Sequence, residues 1–94
     1  MDQMAEREKY EEMAAALQNY VKTVKEQLDV MRAAGADCVD NTNGDKAAAT
    51  SVEKLNNSLT GFYEPLDRIG DVIDYLLREI ERIEEAARAA EYND

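Results

Sequence analysis

Residues 48–90 read AATSVEKLNNSLTGFYEPLDRIGDVIDYLLREIERIEEAARAA, with apolar positions at Ala48, Val52, Leu55, Leu59, Phe62, Leu66, Ile69, Ile73, Leu76, Ile80, Ile83, Ala87 and Ala90. The steps alternate four and three without a slip, the repeat of a helix that packs one stripe against a partner surface. The spacing predicts one long amphipathic helix over about 46–92. Pro65 interrupts it, because proline lacks an amide hydrogen and its ring crowds the carbonyl four residues back, that of Gly61. The preceding Asn56-Asn57-Ser58-Leu59-Thr60-Gly61 is also poor in helix formers. Since the phase passes through Pro65 unbroken, a kink near 61–65 is expected rather than a reversal into a third helix.

The same rhythm runs earlier in the chain through Tyr10, Ala14, Leu17, Val21, Val24, Leu28 and Met31, broadened by Met13, Tyr20 and Val30. It predicts a first helix over about 3–34 with one wide apolar face, ending at Ala33-Ala34-Gly35 with Gly35 as a left-handed cap. Residues 36–45, rich in Asp, Asn, Thr and Gly, have no period and read as part of a loop over 35–45, with Asp45 or Asn43 capping the next helix. The expected fold is all-α: a single antiparallel helical hairpin with a kinked long second helix, in a chain of 94 residues with room for one small domain.

These boundaries leave the helices unequal, about 45 Å against about 70 Å at 1.5 Å per residue. Ala34 would then lie near Ala48 and Tyr10 near Ile73. Leu76, Ile80, Ile83 and Ala87 would face only the polar start of the chain. Burying a Leu or Ile is worth about 1.5–3 kcal/mol, so this row is the expected partner-binding site. Pairing into a four-helix bundle, with a second copy or a similar hairpin, would cover it.

Composition narrows the function. One Pro and four Gly are too few for an all-β chain of short strands. With no His, no Trp and one Cys, the chain has no ligand set for zinc, no His-based triad and no internal disulfide, so neither an enzyme nor a cofactor is expected. A formal charge of -10 repels nucleic-acid phosphates and anionic lipid headgroups. No apolar run approaches the ~18 residues of a membrane span, and the start Met1-Asp2-Gln3-Met4 lacks a basic and apolar leader. The expected location is the cytoplasm, with export lacking a secretory signal peptide as the second option.

Several short motifs have plainer explanations. Val39 to Thr50 places Gly44 at the centre of a calcium-loop spacing, yet Val39 and Thr50 stand where that loop needs carboxylates, so the residues read as turn and cap. Cys38 sits near Asp37 and Asp40 with no basic neighbour to activate it. Asn56-Asn57-Ser58 matches a glycosylation sequon by chance inside a helix. Glu84 with Glu85, and Asp71 with Asp74, read as a solvated face.

A helix, a short polar loop carrying glycine, an Ala-rich helix start and a second amphipathic helix together resemble the WXG family of type VII secretion systems. The family's Trp-x-Gly loop corresponds to Thr42-Asn43-Gly44, so Gly44 and the following Ala47-Ala48 match and the tryptophan does not. The resemblance implies a role like that of the Trp-less helical partners that escort LXG-type toxins. The family's export signal, Tyr-x-x-x-Asp/Glu, has its spacing at Tyr63 with Asp67 and at Tyr75 with Glu79, both inside the second helix. The combined expectation is a non-enzymatic binding partner or targeting factor for a type VII secretion substrate, acting through a protein partner with no nucleic acid, membrane or small-molecule substrate. The alternative is a cytosolic homodimeric coiled-coil adaptor, or an acidic inhibitor that covers a basic surface.

Overall fold

In a computed structural model, which describes residues 3–92, the chain is an antiparallel hairpin of helices. Helix α1 spans Gln3–Asn41, α2 spans Lys46–Thr60 and α3 spans Tyr63–Tyr92; no strand occurs among the described residues. Both α2 and α3 pack along α1, giving a rod of 74 × 19 × 18 Å.

The α2–α3 junction is a bend of 23°, not a reversal. Gly61 N–H donates to the Ser58 carbonyl at 3.2 Å and Phe62 N–H to that of Leu59 at 3.1 Å, so the ladder tightens to three-residue steps. Pro65 falls in the first turn of α3, where a missing amide costs least. Leu59 before the bend and Leu66 after it are both buried, joining Leu28 in one cluster flanked by Val21, Val24 and Tyr63. Burial on the same surface of α1 therefore holds both arms of the bent helix in line.

The end of the first helix differs from the expectation of 3–34. Gly35 does not cap it: α1 continues to Asn41, and the connection shrinks from 35–45 to Thr42-Asn43-Gly44-Asp45. Gly35 is buried mid-helix, where a Cβ would lie 3.0 Å from Val52 Cγ1. Its missing side chain lets the helices approach closely. The left-handed conformations fall instead on Asn43 (φ 48°) and Gly44 (φ 81°). Of the two expected caps, Asp45 rather than Asn43 caps α2, its carboxylate accepting from the Ala47 N–H at 2.9 Å and from the Ala48 N–H at 3.4 Å.

Seven further helical residues, 35–41, make one heptad, so the pairing slides by about one repeat while the seam stays in phase. Gly35 now meets Val52, Arg32 meets Thr60, and Arg7 meets Glu84. The predicted overhang disappears: Leu76 and Ile83 are buried, Ile83 to 1% exposure, and Ile80 and Ala87 are half-buried. The energetics favour this register. Glycine inside a helix costs about 1 kcal/mol, and Asp37 and Asp40 near the C-terminal end add a few tenths. Covering Leu76 and Ile83 returns about 1.5–3 kcal/mol each.

A second difference lies in the inner face. Met31, Leu55 and Phe62, read as seam residues, are exposed, and Arg32, Asn56 and Tyr63 take the half-buried places beside them. The Arg32 guanidinium lies over the Tyr63 ring, 5.2 Å from its centroid, and donates to Thr60 Oγ1 at 3.2 Å. Cation–π stacking and a long apolar stem let arginine occupy a seam margin that a shorter charged residue would not.

Candidate protein-docking interface

The seam residues Ala14, Val21, Leu28 and Gly35 of α1 recur every seven positions, as do Leu59, Leu66 and Ile73 of the second helix; all but half-buried Val21 are buried. One position before this seam lie Met13 and Tyr20 in α1, and Val72 in α3; Met31, Leu55 and Phe62 occupy the adjoining outer seam positions. In an antiparallel pair of right-handed helices, the same sense of rotation from the seam places residues of both helices on one flank. Contacts agree with this assignment. Arg32, Tyr63 and Thr60, rotated the other way, meet on the opposite flank.

One flank is thus apolar along the middle of the rod. Met13 is 50% exposed, Tyr20 55% and Phe62 53%, with Met31, Leu55 and Val72 also open to solvent. Leu17, Val24 and Ile69 are half-buried at its floor. The opposite flank is mostly polar, with Leu77 exposed toward the open end. A shallow groove there, lined by Gln18, Val21, Lys22, Lys25, Asp29 and Ile73, mixes both charge signs and selects no one kind of ligand.

At the open end of the hairpin, a polar group borders the apolar flank. Tyr10 donates its hydroxyl to Glu6 Oε1 at 3.1 Å, and Arg82 Nε donates to Glu79 Oε2 at 2.8 Å. The bond to Glu6 raises the Tyr10 pKa above its ordinary 10.0, helped by partial desolvation and by the negative field of Glu6 and Glu79. Arg7 bridges the helices, donating to Glu84 Oε1 at 2.6 Å and lying 3.0 Å from Glu11. Glu84, read from sequence as part of a solvated face, therefore pairs across the hairpin.

The residues singled out from sequence separate on the fold. Leu76 and Ile83 are consumed by the intramolecular core, and Ile80 and Ala87 are partly so. Gly44 sits exposed at the loop tip. Tyr63 is half-buried beneath Arg32, while Asp67, one turn on, is exposed. Cys38 is a free, exposed thiol. The flank residues were visible in sequence only as a stripe wider than a strict coiled-coil seam. Met31, Leu55 and Phe62 keep the seam spacing in sequence yet form part of this open face.

Among the described residues, no cluster of three or more potential metal ligands occurs, and no helix is long and apolar enough to cross a membrane. No protein family, curated protein or solved structure matches the chain.

Proposed function

We propose that this chain is a non-enzymatic protein-binding module whose apolar flank docks a second amphipathic helical hairpin, completing a four-helix bundle. The observation that carries the reading is the alignment of exposed Met13, Tyr20, Met31, Phe62 and Val72 on one flank of a rod whose other flank is mostly polar. A two-helix rod about 18 Å thick buries its seam from one side only, so a second layer is the natural route to a thicker core. In the narrower form of the proposal, the assembly is a partner or targeting factor for a type VII secretion substrate of the LXG kind. Support for that form is the hairpin architecture together with Gly44 and Ala47-Ala48 at the positions of the family's loop.

The test is co-expression of the full chain with the product of the adjacent gene, for wild type, Phe62→Glu and Tyr20→Glu. Loss of co-purification in the flank variants, with helical circular dichroism retained, supports the reading. Retained binding in those variants combined with loss on Gly44→Val would place the contact in the loop and overturn it.

A further inference from the structure

We infer that the hairpin docked on the apolar flank is a second copy of this chain, laid antiparallel so that the loop end of one rod meets the open end of the other. The inference rests on the docking-surface reading above and names its occupant.

Charge is the first argument. The chain carries a formal -10, which would oppose self-association if it were spread evenly. It is not spread evenly. By helical position, the margins of the apolar flank hold, among the described residues, only Glu6, Asp37 and Glu79 of the acids, against Lys9, Lys54, Arg68 and Arg82. The excess of acids, including Glu26, Asp29, Glu53, Asp67, Asp74 and Glu81, is carried by the remaining faces. The flank is near neutral with both signs present, so it calls for no strongly basic partner.

Self-complementarity is the second argument. On α1, Met13 and Met31 are centred on position 22, as are Tyr20 and Val24, and Lys9 and Asp37 on position 23. On the second helix, Phe62 and Val72 are centred on position 67, and Lys54 and Glu79 fall about the same level. Positions 22 and 67 lie side by side in the observed register, since Gly35 meets Val52 and Arg7 meets Glu84. A two-fold axis crossing the rod at that level therefore sets Met13 on Met31, Tyr20 on Val24 and Phe62 on Val72 of the second copy. It also brings Lys9 near Asp37 and Lys54 near Glu79, pairs of opposite charge, while Leu55 meets Glu79 and Arg68, close to the axis, lies beside its own copy. This is an isologous contact, closed by one symmetry operation.

Area is the third. Taken from Glu6 to Asp37, the face is about 46 Å long at the helical rise, on a rod whose cross-section measures 19 × 18 Å. That gives roughly 800 Å² per copy, the size of a stable interface.

The experiment uses the full chain and its single native cysteine. Sedimentation equilibrium at micromolar concentration is expected to give a dimer. Phe62→Glu and Tyr20→Glu, both at well-exposed positions of the hairpin, should each raise the dimer dissociation constant by at least about 100-fold, as for a central anchor residue. Leu77→Gln, an exposed apolar residue off the apolar flank, should leave it unchanged. Spin labels on Cys38 should lie about 45 Å apart in the antiparallel dimer, whereas a parallel dimer would bring them within about 20 Å. A monomeric wild type, a dimer insensitive to both flank variants, or the short distance would each overturn the inference. If the chain is monomeric yet the flank variants abolish co-purification with the adjacent gene's product, the second copy is excluded and the docking reading stands; if the flank variants change neither, both readings fall.

Discussion

Replacing Gly35 distinguishes the packing role from the helix-ending role on the basis of sign. In a solvent-exposed helix interior, Gly→Ala stabilises by about 1 kcal/mol through backbone entropy. Here the new Cβ would lie 3.0 Å from Val52 Cγ1, below ordinary van der Waals contact, so α2 must retreat by several tenths of an ångström. Overpacking of this kind costs about 1–3 kcal/mol. Gly35→Ala alone should therefore be neutral or destabilising, by about 0–2 kcal/mol. With Val52→Ala as background the obstructing methyl is absent, and the same change should stabilise by about 1 kcal/mol. The coupling between the two sites is then about 1–3 kcal/mol, readable as a double-mutant cycle from urea unfolding followed by circular dichroism at one fixed chain concentration. Stabilisation by about 1 kcal/mol in both backgrounds would show that the helices do not approach closely at Gly35. Destabilisation of equal size in both would restore the left-handed cap and the shorter first helix.

Three further outcomes follow from the same geometry. Ile83→Ala should destabilise the hairpin by about 2–5 kcal/mol in urea melts, because Ile83 is among the most completely buried side chains; a loss under 1 kcal/mol would mean that the open end frays. Asp45→Ala should cost about 1 kcal/mol by removing the α2 cap, and Asp45→Asn, which keeps the acceptor, should recover most of it in thermal melts. Tyr10 has a folded pKa raised above its unfolded value, so the neutral phenol's contribution is complete below pH 10 and is lost as pH climbs from there through the folded pKa. Alkaline titration of ring-labelled tyrosine by NMR should place Tyr10 above the ordinary phenol value of 10.0, and Glu6→Gln should bring it back toward that value.

The helical character of this chain, its two apolar stripes, the bend at Pro65 and the Asp45 cap all follow from local rules. Heptad spacing, a missing amide and a carboxylate beside free N–H groups act over one or two turns, and each is written in consecutive residues. The end of α1 is a different kind of question. Read locally, Gly35 followed by Asp37, Asp40 and Asn41 is a helix terminus, and propensity alone would stop it there. What overrides propensity is a contact made across the hairpin, where Gly35 admits Val52 and the one-heptad slide draws Leu76 and Ile83 under cover. A seven-residue repeat is blind to a slide of seven, so pattern alone cannot choose between registers. The same slide moved the candidate interface: it closed the row of Leu76, Ile80 and Ile83 and left Met13, Tyr20, Phe62 and Val72 as the open face. Which apolar residues remain for a partner is decided by the burial the chain achieves within itself, a sum over long-range contacts that exists only once the helices have been laid together.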